Sequence, residues 1–214
     1  VARHVPNLLT FAGLLFGFSE LGSVLNGHSE LAGAFLLLAL LADGLSGQLA
    51  RRRKHASELG AELDSLASLI AFGVSVMVLA FERSLRQLGP LGWLISVAVA
   101  VAVALRLSRD NASSPEGKRY HGLPVPAFGL SLGLLAERTQ SAQGSWVLAL
   151  VALALAGLML GPFSYARLSN RNALQLPLGL AVLLAVFFEP LRPLLLGAAL
   201  LYCLAGAWVG RDGR

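Results

Sequence analysis

Runs of apolar residues about as long as a bilayer is thick govern what this chain can fold into. A hydrocarbon core of about 30 Å takes about 20 helical residues to cross, and only a helix or a closed barrel satisfies its own backbone there. Eight runs qualify as candidate membrane helices: Asn7–Leu25, Leu31–Ala50, Gly60–Phe81, Leu91–Leu107, Pro124–Ala136, Trp146–Gly161, Leu174–Phe188 and Leu194–Val209. The residues are 56% hydrophobic and only 14% charged, whereas a soluble domain carries roughly a quarter charged residues. The pattern predicts an all-α, polytopic transmembrane helical bundle forming a single domain over residues 1–214. Eight spans are preferred. Six or seven remain if the short fifth run and the marginal seventh do not cross.

The basic residues set the expected orientation. With eight crossings, one side carries Arg3, Arg51, Arg52, Arg53, Lys54, Arg106, Arg109, Lys118, Arg119, Arg167, Arg171, Arg211 and Arg214, and the other carries Arg83, Arg86, Arg138 and Arg192. Thirteen against four puts both termini in the cytoplasm by the positive-inside rule, in an inner-membrane protein. The same asymmetry accounts for the net charge of +5, so nucleic acid is not needed as a partner; membrane lipids are. Cys203 is the only cysteine, which excludes an intrachain disulfide or a cysteine metal cluster. The histidines at 4, 28, 55 and 121 lack metal-ligand spacing. No cleaved leader is expected, because the first run contains Glu20 and no small-residue cleavage site follows it. Small-residue pairs at Gly13/Gly17, Gly129/Gly133, Gly157/Gly161 and Gly206/Gly210 are read as close helix packing.

Asp43 and Asp64 stand inside apolar runs. Asp43 lies about two turns inside the second and Asp64 about one turn inside the third. An aspartate near the bilayer centre costs on the order of 3 kcal/mol on insertion scales, so such residues face a polar cavity, a cation or an arginine. Asp43, Ser46, Gly47 and Ala50 share one helix face, and Gly60, Asp64 and Ser68 share another. A short loop makes the two helices antiparallel neighbours. Their polar faces then meet near the cytoplasmic side, with the Arg51–Lys54 cluster as a basic rim. Gly47 and Ala50 leave room for a ligand against the backbone. Hard divalent cations with phosphate ligands suit such a pocket.

These residues resemble the CDP-alcohol phosphatidyltransferases, whose pattern is D-x2-D-G-x2-A-R-x8-G-x3-D-x3-D. The chain reads Asp43, Ser46, Gly47, Ala50, Arg51, Gly60, Asp64 and Ser68 with every spacing kept. Pro6-Asn7-Leu8-Leu9-Thr10, the stretch from Ser57 through Gly60 to Ala67, Phe72-Gly73-Val74, Arg106-Leu107-Ser108-Arg109 with Asn111, and Gly122 to Ala127 are similar to the phosphatidylserine synthase branch. The resemblance implies transfer of a phosphatidyl group from CDP-diacylglycerol to a small alcohol, serine first, with release of CMP. It implies Mg2+ or Mn2+ held by carboxylates, here Asp43 and Asp64 with Ser46 as a weak ligand. Gly47, Ala50, Arg51 and Gly60 would line the CDP site, and Ser68 holds the position of the general base. Arg106 and Arg109 are candidates for the acceptor's carboxylate or a lipid phosphate, with a positive-inside role as the alternative. Relatives of this kind are commonly dimers, so a homodimer is an expectation of the resemblance alone.

Ser46 and Ser68 depart from the pattern, which has aspartate at both positions. A serine hydroxyl can ligate magnesium but brings no charge. At Ser68 it has no basic form near pH 7, and loss of a general base costs about 10²–10⁴-fold. Glu62 points about 200° away from Asp64 around the helix, and nothing places Glu58 or His55 at the site. Three readings follow: a working transferase with an altered metal site, a pseudoenzyme that keeps the fold and binds CDP-diacylglycerol or regulates an active paralogue, and a small cation-coupled transporter using Asp43 and Asp64.

Overall fold

A computed structural model describes residues 5–52, 58–112, 119–139, 141–166 and 172–209. The chain is an all-α, membrane-spanning protein apart from one short ribbon. Its helices are α1 (Val5–Leu25), α2 (Ser29–Arg52), α3 (Glu58–Ser68), α4 (Ser75–Arg83), α5 (Pro90–Ala112), α6 (Val125–Ala136), α7 (Ala142–Leu160), α8 (Asn172–Phe187) and α9 (Arg192–Val209). Five stretches among the described residues are long and apolar enough to cross a membrane: Asn7–Leu25, Glu30–Leu49, Leu59–Arg83, Pro90–Ala112 and Ala142–Leu160. They correspond to the first four and the sixth of the expected runs.

The fifth run is a 12-residue helix, α6. It is short because it is the core. Phe128, Gly129, Leu130, Ser131, Leu132, Gly133 and Leu134 are all buried, and α2, α4, α5, α7 and α9 all pack around it. The outer surface is apolar as well, with Leu8, Leu15, Phe18, Leu94, Leu105, Leu150 and Phe187 exposed. An apolar exterior around an apolar core suits a bundle whose solvent is lipid.

α1 and α2 form a tight hairpin. Its turn contains Gly27 at φ 78°, the left-handed region that favours glycine. The third span is not one regular helix. Leu69–Val74 forms a π-helical segment between α3 and α4, the kind of local widening found often at functional sites. Its neighbours come unusually close. A Cβ on Gly17 would lie 2.9 Å from the Cα of Ala71, and one on Gly129 would lie 2.6 Å from the Cβ of Phe72. Ser75 donates to the carbonyl of Gly17 at 2.9 Å. Gly133 similarly admits Leu36. The Gly13/Gly17 and Gly129/Gly133 pairs therefore serve helix packing as expected. Gly157 has open space where its side chain would be, so the third pair does not. Gly210 lies outside the described residues.

A feature absent from the sequence reading is a two-stranded antiparallel ribbon, β1 (Arg119–His121) with β2 (Ser164–Ala166). It ties the segment after α5 to the segment after α7. Tyr165 is buried beneath it and donates to the carbonyl of Cys203 on α9 at 3.0 Å.

The end of the bundle where α1, α4 and α6 finish holds a second group of charges. Arg192 is buried and reaches Glu137, just beyond α6, at 3.3 Å. It also donates to the carbonyls of Ala185 and Glu30. Arg83 donates to the carbonyl of Glu137. A Cβ on Gly33 would collide with the Glu137 carboxylate, so glycine there admits the acid against α2. Glu20 is fully buried, with both carboxyl oxygens lacking a hydrogen-bond partner among the described residues.

Candidate active site

α1, α2 and α3 meet in a small polar cleft near the ends of α2 and α3. Asp43 of α2 and Asp64 of α3 line one cavity with Thr10, Gly13, Ala39, Ala67, Ser68, Ala71 and Phe72. The cavity measures about 10 Å³, room for about one water. Helical periodicity explains why these side chains converge: α3 turns Asp64 and Ser68 (i, i+4) inward, α2 turns Asp43 and Ser46 (i, i+3) and α1 contributes Thr10, while the small Gly13, Ala39, Ala67 and Ala71 keep the backbones close.

The two serines are bonded crosswise. Ser68 on α3 donates to Oδ1 of Asp43 at 3.0 Å, and Ser46 on α2 donates within 3.2 Å of Oδ1 of Asp64. Ser46 also lies 2.9 Å from the carbonyl of Asp43. Thr10 on α1 adds a longer bond to Oδ1 of Asp64, at 3.4 Å. Ser46, Ser68 and Thr10 are buried, so these hydroxyls satisfy the acids away from bulk water, where a hydrogen bond to an ionised group counts for about 1.5–3 kcal/mol. Thr10 was missed as a site residue. Its signal was present only as the last letter of Pro6-Asn7-Leu8-Leu9-Thr10.

Gly47 and Gly60 are half-buried on α2 and α3. Ala50 and Arg51 occupy the last turn of α2, with side chains outside the described residues; Arg53, Lys54 and His55 lie outside them altogether. Glu62 points away as periodicity predicts, and accepts from Asn111 of α5 at 3.3 Å on an exposed face. Asn111 also accepts from Ser65 at 2.9 Å, so α5 is clipped to α3 beside the cleft.

Arg106 and Arg109 divide sharply. Arg109 is exposed and donates to the carbonyl of Leu160 at 3.1 Å. Arg106 is 1% exposed and forms an ion pair with Asp110, while its Nε and Nη2 have no partner among the described residues. Gly122, at φ 89°, lets the chain pass close to that guanidinium. A buried guanidinium with two open donors is suited to a carboxylate or phosphate.

Asp43, Asp64, Ser46, Ser68 and Thr10 offer only hard oxygen donors, the chemistry that fits Mg2+ or Mn2+. Among the described residues no three His, Cys, Asp or Glu side chains gather into a larger metal centre.

The fold and cleft define a polytopic helical membrane protein with acids from two consecutive spans directed at one hydroxyl-rich site. The chain belongs to the CDP-alcohol phosphatidyltransferase family, whose profile matches residues 3–166, a family associated with divalent-cation dependence. It is 33% identical over 150 residues to a Mycobacterium tuberculosis CDP-diacylglycerol–serine O-phosphatidyltransferase, covering 66% of this chain and 52% of the relative. To the Bacillus subtilis protein of the same name it is 29% identical over 133 residues, 62% of this chain and 75% of the relative. To archaetidylserine synthase of Methanothermobacter thermautotrophicus it is 27% identical over 177 residues, 79% of this chain and 72% of the relative. The chain spans about half the length of the mycobacterial relatives it matches.

Proposed function

We propose that this chain binds CDP-diacylglycerol at the Asp43–Asp64 cleft and is a catalytically impaired phosphatidyltransferase. The observation that carries the reading is the crosswise bonding of Ser46 to Asp64 and Ser68 to Asp43. Two hydroxyls stand where the family pattern has acids, and each is engaged with the acid that remains. Ser68 donates its proton to Asp43, and it has no accessible anionic form with which to accept one from an alcohol. A bound divalent cation would neutralise the diphosphate and the charge that develops on leaving CMP. Asp43 and Asp64 would hold that cation, and Gly47, Ala50, Arg51 and Gly60 would border the nucleotide.

The acceptor is a small alcohol. Serine is the first to test, because the relatives are named for it. Arg106 would meet the acceptor's carboxylate or a lipid phosphate through its open Nε and Nη2, with Arg109 at the rim. The basic asymmetry supports a cytoplasmic opening in the inner membrane. A second reading is slow transfer by the altered site itself, favoured by both aspartates lining one cavity.

The test uses protein purified in detergent with CDP-diacylglycerol and Mg2+ or Mn2+. CMP release is measured with serine, glycerol phosphate and inositol phosphate. The expected outcome is binding of the nucleotide lipid with turnover at least about 10²-fold below that of the Ser46→Asp, Ser68→Asp double variant. Measurable turnover by the natural sequence, lost in Asp43→Asn and not increased in the double variant, would establish the second reading. Absence of CDP-diacylglycerol binding would sink both.

A further inference from the structure

Among the described residues the most deeply buried acid lies outside the cleft. Glu20 is 0% exposed, and neither carboxyl oxygen has a hydrogen-bond partner among them. An ionised carboxylate so placed is costly, and it takes a counter-ion or a proton. A metal cation fits poorly. Hard cations such as Ca2+ collect about six or more oxygens, whereas no three metal-ligating side chains gather among the described residues. The neighbouring acid, Glu137, is already paired with Arg192. A proton needs no such shell.

Graded burial lays out a route to it. Glu189 is 57% exposed, Glu137 is 12% exposed and Glu20 is closed off. Arg192 lies 3.7 Å from Glu189 and 3.3 Å from Glu137, so one guanidinium holds the outer two acids together. Glu137 in turn is near enough for its charge to act on Glu20. Chains of acids are how membrane proteins relay protons. Burial pushes the Glu137 carboxyl up to about 7 against the pull of Arg192 and Arg138, so it both takes and releases a proton near neutrality. Arg83 of α4 is turned to the carbonyl of Glu137. His28, Glu30, Glu82, Arg86 and Arg138, the other charged or titratable groups described at this end, are exposed. Towards the cleft the way is shut: Gly17 packs directly on Ala71, and Ser75 donates to the Gly17 carbonyl.

We propose that Glu20 is an occluded proton-binding site, loaded through Glu189 and Glu137 from the end of the bundle opposite the cleft, and that it is a dead end rather than a passage. The site stands on its own residues and is independent of what the cleft binds.

Infrared difference spectroscopy on the full chain in detergent supplies the readout. A protonated carboxyl shows a carbonyl stretch apart from the carboxylate bands, and the stretch shifts when deuterium replaces the proton. The difference between the natural chain and Glu20→Gln in neutral buffer should contain one such band. After transfer to heavy water its shift should be at least about 10-fold slower in Glu137→Gln, with the band itself retained. Glu189→Gln, at the exposed entrance where packing is little disturbed, should slow the shift as well; thermal transitions check that each variant folds. In vesicles, an imposed pH difference should decay no faster with the protein than without it. Absence of the band would overturn the proposal, as would stabilisation by Na+ or K+ that Glu20→Gln removes. Deuterium uptake unchanged in both Glu137→Gln and Glu189→Gln would overturn the route, and a proton leak that depends on the protein would overturn the dead end.

Discussion

The bundle's two groups of carboxylates are handled in opposite ways. In the cleft, Asp43 and Asp64 accept from the hydroxyls of Ser68, Ser46 and Thr10. Glu20, about 15 Å beyond Thr10 along α1 at 1.5 Å per residue, meets no donor among the described residues, while Glu137 is paired with the buried guanidinium of Arg192. A hydroxyl orients a carboxylate without bringing a counter-charge of its own. A guanidinium cancels the charge and occupies both oxygens, as Arg192 does with distances of 3.3 and 3.4 Å. One end thus sets its acids among hydroxyls from three helices, and the other closes an acid with a cation.

Three measurements test this contrast. The largest effect is expected from Arg192→Leu, which leaves Glu137 buried and unpaired. Removing one partner of a buried pair typically costs about 3–5 kcal/mol, read as a lowered unfolding transition in detergent. A loss near zero would mean that the far end is not held by its ion pair. Next is Glu20→Met, which exchanges an unsatisfied buried acid for an apolar side chain of similar length. It should stabilise by about 1–3 kcal/mol; destabilisation would show that Glu20 has a partner that this contrast omits.

The third measurement is a pH dependence. Burial pushes the Glu137 carboxyl up to about 7, against the opposing pull of Arg192. The folded chain therefore holds this proton more tightly than the unfolded chain does. The stability that the group contributes is full below its ordinary value of about 4.5 and is lost as pH rises through about 7. Glu137→Gln should flatten that slope, and an unchanged slope would assign it to another group.

Much of the cleft was legible because a motif written across two neighbouring helices specifies relative position. The i, i+4 spacing of Gly60, Asp64 and Ser68 put them on one face, and Glu62 on another, as observed. Which hydroxyl meets which acid was not legible. Ser46 and Ser68 each reach across to the opposite helix, and that depends on helix separation rather than on spacing within either one. Thr10 was hidden for the same reason, since it arrives from a third helix. The Glu137–Arg192 pair joins residues 55 apart that sequence alone placed in separate loops. The shortness of α6 was visible as a 13-residue run, but its burial at the centre was not, because a helix apolar all round reads alike whether lipid or protein surrounds it.

The π-helical segment Leu69–Val74 makes the third span two pieces set to different phases. Each added residue advances a helix by about 100°, so a widened turn lets Asp64 and Ser68 be aimed separately from Ser75 and Leu79 below. Shortening this stretch by one residue would convert it towards ordinary helix and rotate the acid away from Asp43 while the rest of the span kept its seat. Length in that stretch is thus an aiming control for the carboxylate, set by Ala71 and Phe72 among the residues that also line the cleft.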